Sequence, residues 1–191
     1  MRSCEQTAGQ NVLEHGESVA RYYADLYNHL TKGTPLGFEW RLPAWLEDGE
    51  TRSDLLDRLL PFETAQTYQT YHDCGKPYCL CFDEDGRRHF PDHAQCSEAV
   101  WRHLRPEDEQ VSRLIAMDMD IHLLKAEGVP EFAGRPEAGT LLLTGLAEVH
   151  SNAAMFGGTD STSFKIKFKQ IEKRGRAIIR QWAATSQKEA A

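Results

Sequence analysis

The stretch "TYQTYHDCGKPYC" (residues 67–79) places a histidine beside an aspartate and follows them with cysteine, glycine and lysine. Neutral imidazole and carboxylate together suit a divalent first-row metal. Such a site needs further donors from elsewhere in the chain. On a helical wheel His15 falls within the stripe of Val12, Val19, Tyr22 and Leu26, and His72 shares a face with Ala65 and Tyr68. His93 lies with Val100 and Leu104, with Ser97 beside it, and in "VSRLIAMDMDIHLL" both Asp118 and His122 fall on the face of Val111, Leu114, Ile115 and Ile121. Asp120 points the opposite way. At least four segments thus put a nitrogen or oxygen donor on a face that should be buried. Burying such groups is costly unless they are paired or hold a metal. A lone histidine on an apolar face is more often a hydrogen-bonded core residue, but several donors with an adjacent His-Asp pair point to one shared site.

The elements that must carry these residues read as helices joined by turns. The 191 residues suffice for one domain with a sizeable core, 40% are apolar and 27% charged, and no run approaches 18 apolar residues. The expectation is a single all-α domain over residues 1–191 without a membrane span. Helical spacing covers Asn11 to Leu30, Glu63 to Gly75, Asp92 (as N-cap) to Leu104, Glu109 to Ala126, Thr140 to Met155 and a basic C-terminal helix at about 163–184. The last segment competes with a strand, because Phe164, Ile166 and Phe168 alternate. The longer series through Ile171, Ile178 and Trp182 fits a helix. About 33–62 reads as an insertion or lid with three prolines, two tryptophans and a short helix at Ser53 to Leu60. "CFDEDGRRHFPD" and "GVPEFAGRPEAGT" read as loops.

The net charge of −7 argues against indiscriminate polyanion binding. Between Ser163 and Trp182, however, seven Lys or Arg and one Glu give +6, leaving −13 for the remainder. Such asymmetry can guide an anionic substrate to one face. Five cysteines (4, 74, 79, 81, 96) without an export signal imply reduced thiols in a cytoplasm. The thiols at 74, 79 and 81 mimic a metal knuckle, but their spacing is not a usual zinc spacing, and buried or loop thiols are the better reading. Nothing indicates oligomerisation.

"LEHGESVARYYADL", "TYQTYHDCGKP", "HFPDHAQCSEAV" and "LIAMDMDIHLL" resemble the successive helices of the HD-domain metal-dependent phosphohydrolases, over about Asn11 to Phe156. The resemblance implies a site that holds one or two divalent transition ions (Mn, Zn, Ni, Co or Fe). His15 resembles the first ligand, His72 and Asp73 the doublet, and His93 an additional histidine. Where many members have another histidine this chain has Asp118, with His122 one turn later. Where they have a last aspartate it has "GLAEVHSNA", so Glu148 is the aligned carboxylate. The wheel leaves Glu148 and His150 on opposite flanks of the apolar stripe and does not choose between them. Within the family, "SNAAMFGGTDSTSFKIKFKQIEKRGRAIIRQW" (Ser151 to Trp182) resembles the phosphohydrolase modules fused to polynucleotide kinases in bacterial RNA end-repair proteins, which act on 2′,3′-phosphates at RNA ends. No P-loop accompanies it here.

The resemblance implies phosphoester hydrolysis of a nucleotide or RNA-end substrate, with a metal to activate water and neutralise phosphoryl charge. Asp73 and Lys76 are the catalytic candidates. Lys76 either meets a phosphate oxygen or is a helix C-terminal lysine favoured by the dipole. Substrate contacts are assigned to Lys76, His122, His150, Asn152, Ser161, Lys165 and Lys169. Lys165 and Lys169 belong with Lys173, Arg176 and Arg180 to a basic face that is either solvated or a phosphate-backbone surface. Ser161 either contacts phosphate or caps a helix. The alternatives are a deoxynucleotide phosphohydrolase and a non-catalytic module that keeps the helices without a full ligand set.

Overall fold

A computed structural model describes residues 1–7 and 9–189. In chain order its elements are β1 (Glu5–Thr7), β2 (Gln10–Asn11), α1 (Val12–Lys32), α2 (Gly49–Asp57), α3 (Phe62–Tyr71), α4 (Lys76–Cys79), β3 (Cys81–Phe82) and β4 (Arg88–His89). There follow α5 (His93–Leu104), α6 (Glu109–Ala116), α7 (Asp120–Leu123), α8 (Val129–Ala133), α9 (Ala138–Ser151) and α10 (Thr162–Glu189), with short 3₁₀ turns at Ala44–Leu46, Ala126–Gly128 and Ala153–Phe156. The fold is all-α, with two antiparallel strand pairs, β1 with β2 and β3 with β4. No helix among the described residues is long and apolar enough to cross a membrane.

The chain forms two compact units. The first comprises Met1–Arg21 and Phe62–Met119, the second Tyr22–Pro61 and the described residues from Asp120 onward. In the first, α1 begins on a reciprocal cap. Asn11 Oδ1 accepts from the backbone N–H of Leu13 and Glu14 (both 3.0 Å), and Glu14 Oε2 accepts from Asn11 N–H at 2.9 Å. Helices α3 and α5 pack on α6, and α4 packs on α5. Val12, Val19, Ala65, Tyr68, Trp101, Leu114 and Ile115 form the core. A side chain at Gly16 would meet Thr70 O at 2.2 Å, so only glycine lets α1 lie against the end of α3. That contact decides how near His15 comes to His72.

In the second unit α9 and α10 pack together, with α8 on α10 and α7 on α9. Leu141, Leu142, Leu143 and Leu146 of α9 and Phe164, Phe168, Ile171, Ile178 and Trp182 of α10 are all buried. The α10 residues recur at helical spacing, and the strand alternative for residues 164–168 is excluded.

Several element boundaries differ from the sequence reading. The expected helix over 109–126 stops at Ala116. Met117 N–H bonds Arg113 O, Asp118 N–H turns back to Ile115 O, and α7 starts afresh at Asp120. Apolar residues on both sides of this break stay in phase, which hides it from a wheel. Residues 128–140 contain α8, opened by Pro130 in its first turn, where a missing N–H costs nothing. The "CFDEDGRRHFPD" segment holds β3 and β4 rather than loop alone. The short helix expected at 53–60 begins instead at Gly49, because Asp48 accepts from Thr51 N–H and caps it there. Asp92 sits at the N-cap of α5 with φ +50°, and its side chain makes no capping bond. Leu104 is exposed, and Ala94, Ser97 and Trp101 are the buried positions of α5.

Candidate metal centre

Three elements of the first unit bring donors to Asp73. Helix α1 supplies His15, the turn after α3 supplies His72 and Asp73, and the first residue of α5 is His93. Gly75 anchors the turn to α5. Its N–H donates to Ser97 Oγ at 2.9 Å, and a Cβ there would stand 2.2 Å from Ser97 N and 2.4 Å from Cys96 C. The turn and α5 therefore touch backbone to backbone, which fixes His93 relative to Asp73.

The distances are short. Asp73 Oδ2 lies 3.6 Å from His15 Nε2, 3.2 Å from His72 Nε2 and 2.6 Å from Lys76 Nζ. His93 Nε2 lies 3.8 Å from Asp73 Oδ1. A ring nitrogen of His15 and one of His72 lie within 4.8 Å of each other, and the rings meet edge to face at 5.2 Å. His15, His72 and Asp73 are buried, and His93 is half-buried.

The orientation of two rings is set by their backbone partners. His72 Nδ1 is 2.7 Å from Gln69 O, and His93 Nδ1 is 3.2 Å from Phe90 O. A carbonyl can only accept, so each Nδ1 carries the hydrogen and each Nε2 is aimed at Asp73. When neutral, His72 turns a lone pair toward a carboxylate oxygen 3.2 Å away. Two acceptors at that distance repel unless a proton or a metal ion lies between them. A ring N–H held by a backbone carbonyl while the other nitrogen faces outward is the usual arrangement of a metal-ligating histidine. Asp73 Oδ1 is buried and accepts no hydrogen bond among the described residues.

Burial alone would raise the Asp73 carboxyl. His72, Lys76 and His15 outweigh it and hold the group well below the usual carboxylate range. Lys76 is buried, bonds Asp73 and Gln6 Oε1 (3.0 Å), and has its ammonium 5.2 Å from the Phe90 ring centre. It opens α4 rather than closing α3, so the reading as a lysine placed by a helix C-terminus is corrected: Gly75 precedes it as N-cap.

Asp118 also belongs to the first unit. It is buried and accepts from Tyr68 O–H at 2.6 Å. The remaining candidates belong to the second unit. His122 Nε2 lies 2.8 Å from Glu148 Oε2, both half-buried. His150 is fully committed: Nδ1–H donates to Leu146 O at 2.8 Å, and Nε2 accepts from Arg41 N–H at 3.1 Å. Both ring nitrogens are thus engaged by backbone groups of the second unit. Burial lowers its pKa, so it stays neutral. Asn152 Oδ1 is buried and accepts no hydrogen bond among the described residues. Ser161 Oγ accepts from Phe164 N–H and caps α10. Lys165 and Lys169 are exposed, Lys165 lying 3.6 Å from Asp160.

The cysteines are free thiols. Burial pushes Cys74 up to about 11, and Cys79 also to about 11, so both stay protonated and are poor ligands. Sequence reasoning missed the groups that orient the site, namely the carbonyls of Gln69 and Phe90, Ser97 and Gln6. The only sequence signal for the first two is their place three residues before each histidine. Compared with protein-family models, with curated proteins and with solved structures, the chain matches none.

Proposed function

We propose that this chain is a divalent-metal-dependent phosphoester hydrolase of the HD type, acting on nucleotide or nucleic-acid phosphoesters, with RNA 2′,3′-cyclic phosphate ends as the favoured substrate. One observation carries the reading. Two histidines spend Nδ1–H on backbone carbonyls and turn Nε2 toward one buried carboxylate. His15, His72, Asp73 and His93 would hold the ion, and this set of imidazole nitrogens and carboxylate oxygen suits Mn, Fe, Co, Ni or Zn. A bound divalent ion supplies Lewis-acid stabilisation and lowers the pKa of water toward neutrality. Lys76 places a fixed ammonium beside Asp73, where it opposes the charge that grows on phosphoryl oxygens. The burial of Lys76 and Asp73 strengthens that interaction over its value in water. The preference for RNA ends rests on the resemblance of the C-terminal tail.

The test is hydrolysis of bis(p-nitrophenyl) phosphate and of an RNA ending in 2′,3′-cyclic phosphate, with Mn2+, Ni2+, Co2+ or Zn2+ added to metal-stripped protein. The expected result is metal-dependent turnover that falls at least ~100-fold in Asp73→Asn. Equal turnover by that variant, or none by the wild type with any of these metals, sinks the proposal. One observation favours a second reading. The Lys76 ammonium already neutralises Asp73 at 2.6 Å, as it would in a non-catalytic module that keeps the helices as a purely structural charge network. That reading predicts no metal uptake and a protein stabilised by Lys76 alone.

A further inference from the structure

The second unit has a surface that the metal centre does not use. Residues 33–43 form an irregular strap pinned by side chains. Asp25 accepts from Gly37 N–H (2.8 Å), Phe38 N–H (3.1 Å) and Trp40 Nε1–H (2.9 Å), while His150 accepts from Arg41 N–H. Further along, Trp45 Nε1–H donates to Glu172 O at 3.3 Å. Between this segment and α10 lies a groove of about 480 Å³. Phe168 forms its floor, with the Arg41 guanidinium 5.6 Å from the ring centre, and Lys165 and Lys169 stand along its rim. Of the two acids in the groove, Glu172 is paired with Arg176 at 3.3 Å. The exposed cations continue along α10 as Lys173, Arg176 and Arg180. Tyr22 of α1 stacks on Phe38 of the strap at 4.2 Å and 15°, and Phe38 is still 39% exposed.

We propose that this groove binds a single-stranded polynucleotide, with phosphates along Arg41, Lys165 and Lys169 and a base stacked on Phe38. Cations together with an exposed aromatic ring, here Arg41 and Phe38 on one strap, are what a single strand needs, because every base offers a π-face whatever the sequence. From Lys165 to Arg180 the cations extend over roughly 22 Å of helix, enough for several successive phosphates. An acidic peptide would use the cations but not the stacked ring. The inference is carried by the second unit alone and does not depend on metal chemistry.

The test is fluorescence anisotropy of a labelled twelve-nucleotide single-stranded RNA in EDTA, at 50 and 200 mM salt. The triple variant Arg41→Ala, Lys165→Ala, Lys169→Ala is expected to bind at least ~10-fold more weakly and to lose about 2 from the slope of log affinity against log salt. Phe38→Ala is expected to lose about 5- to 100-fold. Arg41→Gln alone, with a smaller loss, keeps the test valid if the triple variant fails to fold by circular dichroism. The control removes three exposed cations elsewhere (Arg2→Ala, Arg87→Ala, Lys125→Ala) and should retain nearly all binding. Equal loss in the control, unchanged binding in Phe38→Ala, or tighter binding of a poly-glutamate peptide than of the RNA each overturns the proposal. No RNA binding while metal-dependent hydrolysis is intact overturns the groove alone. RNA binding without any hydrolysis overturns the hydrolase reading alone.

Discussion

Replacing Gly75 by alanine tests the link between backbone packing and the proposed metal site. Gly75 has φ −84° and ψ −15°, which alanine adopts readily, so conformational strain does not contribute. The added Cβ would meet Ser97 N at 2.2 Å, Cys96 C at 2.4 Å and Ser97 Cα at 2.6 Å. All three atoms are backbone and cannot rotate away. To restore ordinary contact, α5 must retreat by about 1 Å, an overpacking that costs ~1–3 kcal/mol. For a chain of this length each kcal/mol lowers the Tm by about 2–4 °C, so a fall of roughly 2–12 °C is expected. His93 lies one turn before Ser97 and moves with it. Metal sites tolerate only about 0.2 Å of ligand displacement, so divalent-ion affinity should fall by ~10-fold or more. Thermal melts at 222 nm and calorimetric titration with Mn2+ or Zn2+ read both effects. Gly49→Ala, whose Cβ meets nothing within 4 Å at the start of α2, is the control and should leave the Tm unchanged or raise it slightly. A Tm for Gly75→Ala within about 1 °C of wild type, with undiminished metal affinity, would show that this backbone contact does not position His93.

Tyr68→Phe removes the hydroxyl that donates to Asp118 at 2.6 Å without changing shape. It should cost ~1.5–3 kcal/mol, read as a lower urea midpoint at constant m, and an unchanged midpoint contradicts that bond's role. His150 should make stability pH-dependent. Its folded pKa lies below 6.5, so the unfolded chain takes up a proton that the folded protein refuses. Stability is therefore full above pH 6.5 and declines as pH falls from there toward the depressed folded value, by at most about 1.4 kcal/mol per pH unit. His150→Gln should flatten the Tm profile between pH 7 and 5, and parallel profiles would show that the ring does not titrate as argued. For Asp73, held well below its usual range, the stabilising contribution is present above pH 4 and lost below it. Metal-stripped Asp73→Asn should lose less stability at pH 3 than at pH 7, as checked by urea melts, and a loss independent of pH contradicts this.

The all-α class was legible because apolar residues recur at helical spacing in α1, α9 and α10, and such spacing survives errors in element ends. The ends themselves were not. Gly49 to Asp57 is helical because Asp48 caps it, although its apolar residues suggest a later start. The break at Met117 is invisible to a wheel, since Leu114 and Ile121, seven residues apart, keep phase across it. His15 and His72 could be picked out as donors on apolar faces and Asp73 as the neighbour of His72, because several such groups together are hard to bury without a shared partner. What periodicity cannot supply is the partner of each ring. Nothing in the wheel separates His72, whose Nε2 faces a carboxylate, from His150, whose Nε2 takes the Arg41 N–H. The difference arises from the strap, whose course is set by Asp25 and Trp45 and not by any periodic pattern. The basic face of α10 was legible as charge, whereas the groove beside it required Arg41 to be placed by that strap.

The proposed centre requires His72 and His93 to hold their hydrogens on Nδ1 and to present Nε2 to a cation at Asp73. Long-range proton–nitrogen NMR of the imidazoles, recorded on metal-stripped protein and again with one equivalent of Zn2+, tests it most directly. Nδ1–H signals are expected for both residues before addition, and the ion should displace the Nε2 resonances of residues 15, 72 and 93, a displacement abolished in Asp73→Asn. Nε2–H tautomers at residues 72 and 93, or Nε2 resonances unmoved by the metal, would contradict it.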